Sequence, residues 1–206
     1  MKRIFYLFLV VFLAGCATTA RLPIHKVIND QTIRTKVVLL KNDSIDFAYQ
    51  KTAVREFEAA LLKEPVSHAI KASLGGEKID LVLITRKDVQ TIKSLTPEEV
   101  IKIGKQSDVN TVIVLEPVKV DYSEGSAKKE DEFCVTRDAK ATVSVKVAET
   151  KEGEIVFAGV YEGSAKAKQC SKGIQRTDKL PSKDALVVKA LKKAASKFSR
   201  EFWNNL

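Results

Sequence analysis

The sequence predicts a single α/β domain built on a mixed sheet, with three parallel strands and a long antiparallel hairpin covered by helices. Three observations carry this. Compact apolar runs at residues 35–41, 79–85 and 110–120 alternate with amphipathic segments, the order that favours parallel pairing. Residues 133–148 alternate between apolar and polar side chains, the period of a strand with one buried face. From Ser182 onward apolar residues recur three and four apart, the stripe of a packed helix. The composition permits such a core: of 206 residues, 45% are hydrophobic and 30% charged, which excludes wholesale disorder. Nine Gly and five Pro exclude collagen-like and low-complexity chains, and three Cys with two His and no CxxC exclude a zinc ribbon.

Residues 1–15 are predicted to be a signal peptide. Lys2 and Arg3 make a basic start, and residues 4–13 (IFYLFLVVFL) are apolar. A run of that length is short of the roughly 20 residues that span a bilayer. Leu13-Ala14-Gly15-Cys16 follows directly and resembles the lipobox of bacterial lipoproteins. That resemblance implies cleavage before Cys16, acylation of its thiol with palmitate among the chains, and a membrane anchor. Buried acyl carbons contribute about 0.8 kcal/mol per CH₂. Residue 17 is Ala. An Asp there would resemble an inner-membrane retention signal, so Ala favours the periplasmic face of an outer membrane. Residues 16–34 are then the acylated Cys and a tether, and residues 35–206 the domain.

Residues 35–41 (TKVVLLK) read as a buried first strand, and Lys41-Asn42-Asp43-Ser44 as a turn. A helix follows to about Lys63, with Phe47, Val54, Phe57 and Leu61 on one face and Pro65 after its end. Residues 66–74 add a short helix before Gly75-Gly76. Residues 79–85 (IDLVLIT) are the second strand, and residues 88–92 one or two helical turns. Thr96-Pro97-Glu98-Glu99 starts a helix, with Thr as N-cap, Pro at N1 and the Glu at N3 reaching back. It ends near Asp108. Residues 110–120 (NTVIVLEPVKV) form the third strand, whose later half Pro117 places at an edge or bulge. Residues 122–132 (YSEGSAKKEDE) read as a polar loop.

The hairpin follows. Val135, Arg137, Ala139, Ala141, Val143, Val145 and Val147 lie on one face of its first strand, and residues 155–170 form its second. A three-residue loop Lys151-Glu152-Gly153 places Gly at the position that wants left-handed backbone. Paired residue numbers then sum to 304, which sets Val147 opposite Phe157, Val143 opposite Tyr161 and Asp138 opposite Lys166. The same arithmetic sets Cys134 opposite Cys170. Cross-strand Cβ atoms lie about 4.5–5.5 Å apart, close to disulfide geometry, and the compartment is oxidising. A Cys134–Cys170 disulfide is therefore expected. After a polar connector, the last helix carries Val188, Leu191, Ala195, Phe198 and Phe202 on one face; Trp203 near its end has two readings, packing, the commoner case, or a place at a membrane or partner surface.

Removal of the signal peptide takes Lys2 and Arg3 and lowers the net charge from +9 to +7. Outside the cytoplasm that charge points to anionic lipid headgroups or acidic envelope polymers, not to nucleic acid. No GxSxG, HExxH, P-loop or Gly-rich dinucleotide fingerprint occurs. His25 and His68 read as surface or capping residues, so no catalytic residue, metal site or cofactor is expected.

Several segments together resemble the envelope lipoprotein superfamily that includes the curli secretion channel and the lipoprotein activators of penicillin-binding proteins. They are FEAALLKEP (residues 57–65), ITRKDVQTI (84–92), IGKQSDVNTVIVLEPVKV (103–120), VSVKVAETKEGEIVFAGVYEGSA (143–165) and the Ala/Lys-rich last helix. The chain departs from that pattern at ITRKDVQTI, which lacks the acidic residue usual after the short helix. It also shows one long hairpin where the curli channel uses two per subunit. The resemblance implies a membrane-anchored, non-enzymatic periplasmic protein that binds another envelope protein and assists assembly, secretion or cell-wall synthesis. Its contacts are expected at exposed hairpin edges and at residues 122–132. An oligomeric outer-membrane pore built from the hairpins and a structural envelope lipoprotein are the alternatives.

Overall fold

The computed structural model describes residues 32–41, 47–63, 79–85 and 88–206. The signal peptide, Cys16 and most of the tether, His25, His68, the turn at residues 42–44 and the short helix at 66–74 lie outside the described residues. Seven strands and three helices occur within them: β1 (Thr32–Leu40), α1 (Phe47–Leu61), β2 (Asp80–Leu83), β3 (Thr91–Ile92), α2 (Pro97–Ser107), β4 (Thr111–Leu115), β5 (Lys119–Lys129), β6 (Glu132–Glu149), β7 (Ile155–Lys172) and α3 (Lys183–Asn204). The architecture is the predicted α/β domain on one mixed, curled sheet.

β1 is the parallel centre. It pairs with β2 through residues 32–35, with β3 through residues 39–40, and along its other edge with β4. It begins at Thr32, inside the predicted tether, because Asn110 ties that end down. The Asn110 side chain accepts the Arg34 N–H at 2.8 Å and donates to the Thr32 carbonyl at 2.8 Å. Residues 91–92 are a strand rather than helical turns, since the β1 edge beyond β2 offers unpaired backbone groups that β3 takes.

The largest departure from the sequence reading concerns residues 122–132. They are not a loop. β4 pairs with residues 145–149 of β6, and β5 continues along the same edge of β6, pairing residue by residue from Lys119–Thr142 to Lys129–Glu132. Glu116-Pro117-Val118 is the break between them, as Pro117 suggested. Proline has no N–H to lose there, and the Val118 N–H is accepted by the buried Gln50 Oε1 at 3.0 Å. β5, β6 and β7 thus form a three-stranded meander with two consecutive hairpins, where one was expected.

The β6–β7 register is the predicted one over most of its length. Val143 faces Tyr161, Asp138 faces Lys166 and Cys134 faces Cys170, and only next to the turn does a bulge shift it, so that Ala148 faces Ile155. Gly153 has φ +79°, the left-handed backbone that position requires. Glu149 fastens this turn: its carboxylate accepts the N–H groups of Lys151 (2.7 Å), Glu152 (2.8 Å) and Glu154 (3.1 Å).

Helices cover the two halves of the sheet unequally. α2 lies over the parallel half, burying Val100 and Ile103 against Val38, Val112 and Val114. Its N-cap is Thr96, whose hydroxyl accepts the Glu99 N–H at 3.4 Å. α1 and α3 cover the other face along its whole width. α3 starts from the Ser182 cap, where the Ser182 hydroxyl accepts the Ala185 N–H. Phe198 on α3 lies within 5.3–6.3 Å, centroid to centroid, of Phe57, Phe157, Tyr161 and Phe202. Trp203 is buried, as expected, and donates to the Leu61 carbonyl at 3.2 Å. α3 can approach β7 this closely because residue 163 is Gly: a Cβ there would sit 1.9 Å from the Ala190 carbonyl oxygen.

Two outcomes are expected from this packing. Gly163→Val forces α3 outward and lowers stability by about 1–3 kcal/mol, seen as a lower urea midpoint with an unchanged slope. Burial pushes the Glu149 pKa up, but the three turn N–H groups outweigh it and leave the net value below the usual glutamate range. A lowered folded pKa stabilises fully above the ordinary glutamate range, and that stability is lost as pH falls through the lowered value. Glu149→Gln should therefore cost about 1–3 kcal/mol near neutral pH, and thermal melts should show the gap from the parent closing as pH falls below the ordinary glutamate range.

Candidate functional site

Beyond the helices, the β5–β6–β7 meander runs on as an arm. Its far end comprises residues 123–136 and 166–172, and all of residues 123–132 are exposed. The arm forms because β6 and β7 each contribute 18 residues while α3 covers only part of that length. The turn at its tip is Glu130-Asp131, with Glu130 at φ 55°. Beside it the Lys128 ammonium sits 5.1 Å from the Phe133 ring centroid.

The disulfide closes the arm. Cys134 and Cys170 are bonded to each other across β6 and β7, as the register predicted. Their even-numbered positions place them on the face of the sheet turned away from α1 and α3. Glu132 lies close enough to join the two sulfurs as a third metal ligand, but the sulfurs are committed to one another. Cys16, the predicted acylation site, is outside the described residues.

Where the arm leaves the body, charge replaces apolar packing. Arg137 is on the inner face of β6 with the apolar residues, and it is satisfied there: Nε donates to Glu124 at 2.7 Å and Nη1 to the Pro181 carbonyl at 3.1 Å. The guanidinium holds the Glu124 carboxyl below the usual carboxylate range. Lys183 of α3 sits 5.7 Å from the Tyr122 ring centroid. Gln169 binds Asp178 through its amide nitrogen and the Lys179 N–H through its oxygen, each at 3.1 Å, and so holds the β7–α3 connector against the arm.

The face of β5–β7 opposite the helices carries no helix among the described residues. It is a polar sheet with three ion pairs, Lys140–Glu162 at 2.8 Å, Lys146–Glu116 at 2.6 Å and Lys166–Asp138 at 3.7 Å. Between them Val160 is 64% exposed. Each such exposed pair is worth about 0–1 kcal/mol, so they keep the face soluble more than they hold the fold. Among the described residues, β5 has no partner strand on its outer edge, and β7 pairs only with β6. No helix of the described residues is long and apolar enough to cross a membrane.

No protein-family model matches the chain. An uncharacterised protein of Aquifex aeolicus (strain VF5) is 28% identical over 212 residues, spanning the whole of both chains. Among solved structures, a Helicobacter pylori protein described as a neuraminyllactose-binding hemagglutinin homologue aligns over 86% of this chain and 83% of its own, with 17% identity and a TM-score of 0.41. The PelC dodecamer from Paraburkholderia phytofirmans aligns over 81% and 87%, at 10% identity and TM-score 0.38. The LpoB C-terminal domain from Salmonella enterica aligns over 65% and 82%, at 13% identity and TM-score 0.27. Likenesses this distant fix neither partner nor activity.

The sequence reading placed contact residues at 122–132, and these are most of β5, the tip turn and the first residue of β6. It missed that they pair with β6. The signal was the length of β6 itself: it alternates over residues 133–148, and the third apolar run is long enough to pair with only part of one of its edges.

The disulfide spans 36 residues of sequence. Replacing both Cys134 and Cys170 by Ser should lower stability by about 2–4 kcal/mol. In urea titrations dithiothreitol should shift the parent to the same midpoint and leave the variant unmoved.

Proposed function

We propose that this chain is a lipid-anchored envelope lipoprotein, acylated at Cys16 and held on the periplasmic face of an outer membrane. It binds another envelope protein through the β5–β6–β7 arm and carries out no catalysis. The observation that carries the reading is the arm: an exposed three-stranded sheet whose outer edges have no partner strand among the described residues, braced by a disulfide and by Arg137. Such edges offer rows of backbone N–H and C=O groups, which a partner strand can pair with. The lipobox-like Leu13-Ala14-Gly15-Cys16 supplies the anchor and the compartment. Assistance to assembly, secretion or cell-wall synthesis is the role that the superfamily resemblance adds.

The pore alternative meets a physical objection. A membrane barrel turns an apolar face to lipid; where β6 and β7 are apolar that face is taken up by α1 and α3, and residues 123–132 of the arm are polar but for Gly125 and Ala127. The opposite face carries Lys140, Lys146, Lys166 and their carboxylate partners.

Two measurements test the proposal. Cells fed labelled palmitate should incorporate it into the parent and not into Cys16→Ser, which should leave the membrane fraction; absence of label in the parent overturns the anchor. A photo-crosslinking residue at Ser126 or Ala127 should trap a discrete protein adduct, and one at Asp108, beyond the C-terminal end of α2, should not. Equal trapping at both places overturns the arm as the contact.

A further inference from the structure

The helical layer is charged unlike the rest of the surface. α1 with Lys63, together with α3, holds nine Lys and Arg against four Asp and Glu. Arg55, Lys63, Lys189, Lys192, Lys197 and Arg200 are all exposed. Lys63 and Lys192 line one groove between α1 and α3 with a single carboxylate, Glu56, so cations from both helices share an outward face and outnumber the acid there. On the opposite, sheet face Lys140, Lys146 and Lys166 are each neutralised by a carboxylate within 4 Å.

One apolar side chain belongs to the same basic face. Leu62 is 56% exposed. Spacings of 4 and 3 put Arg55, Ala59 and Leu62 on one side of α1, and Arg55 and Ala59 are exposed too. An exposed leucine among cations suits the boundary between headgroups and acyl chains, where both kinds of contact are favourable. A hydrated acidic polymer would gain nothing from it.

We propose that the outward face of α1 and α3 docks on the anionic headgroups of the membrane that carries the protein. The proposal rests on the reading of Cys16 as a lipid anchor. Residues 17–31 reach at most about 50 Å when fully extended, against a radius of gyration near 16 Å for a domain of this length. The anchor therefore permits any face to meet the bilayer, and charge selects which one does. The outer edges of β5 and β7 are not part of that face and stay open to a partner.

The test uses the mature chain with Cys16→Ser, so that no acyl group contributes, and sedimentation with vesicles. It should bind vesicles of phosphatidylglycerol and phosphatidylcholine, and not phosphatidylcholine alone, and added salt should release it, since exposed charges more than about 10 Å apart are screened at 0.1 M. Reversal of Lys189, Lys192 and Arg200 to Glu should weaken binding about tenfold or more. Leu62→Ser should weaken it without changing the salt dependence. The same number of reversals on the sheet face and arm, Lys119→Glu, Lys168→Glu and Lys172→Glu, is the control for net charge. Substitution by Gln replaces Glu at any site where reversal lowers the melting temperature. No binding to the anionic vesicles, an equal loss in the control, or retention on an acidic polysaccharide without vesicle binding each overturns the docking face. Palmitate labelling of the parent reads the anchor separately, so the two failures are distinguishable.

Discussion

Everything in this domain depends on how closely α3 lies on β6 and β7. Phe198 is the centre of that contact, fully buried among aromatic rings from α1, β7 and α3 itself. Truncating a buried Phe typically costs about 3–5 kcal/mol, a large share of the roughly 5–15 kcal/mol by which a domain is stable. The close approach is possible only because Gly163 presents no side chain to the α3 backbone. α1 joins through Ser199, which donates to the Ala60 carbonyl at 2.9 Å, and through Trp203. The first and last helices of the described residues are thereby locked over a sheet whose central strand precedes them both and whose other six strands come from the chain between them.

That lock divides the sheet by use. The parallel half is covered on both faces, and its central strands are accordingly buried along their length. The antiparallel half is covered on one face only, so it alternates apolar inside and polar outside. An antiparallel meander can outgrow its cover because its backbone groups are satisfied strand to strand, whereas a parallel pair needs a crossover for each addition. The arm is the result: a strand extension that costs little apolar exposure and leaves two edges and a whole face available.

Polar groups hold the places where apolar packing ends. Glu149 gathers three N–H groups of the β6–β7 turn, Asn110 pins the start of β1, and Arg137 with Glu124 closes the inner face at the root of the arm. Each sits where the chain turns or leaves cover, and each gives backbone or charged groups a partner within the fold. None of these roles shows in a residue's own neighbourhood in the sequence. Arg137 in particular reads there as an interruption of an apolar face.

What the sequence determined by itself was whatever rests on local periodicity and turn chemistry. The alternation over residues 133–148 and the left-handed glycine at 153 specified the β6–β7 register, and with it the pairing of Cys134 with Cys170. The Thr96 cap, the start of α3 near Ser182 and its apolar stripe were legible for the same reason. The tertiary structure alone decided the fate of residues 122–129, whose polar composition says loop. The unpaired edge of β6 made them a strand, because satisfying a row of backbone donors and acceptors outweighs a weak local preference. The same holds for β3, which exists only because β1 offers it an edge. The gathering of two basic helices onto one face was likewise invisible in a chain whose lysines are scattered, since only packing brings residues 55–63 and 189–200 side by side.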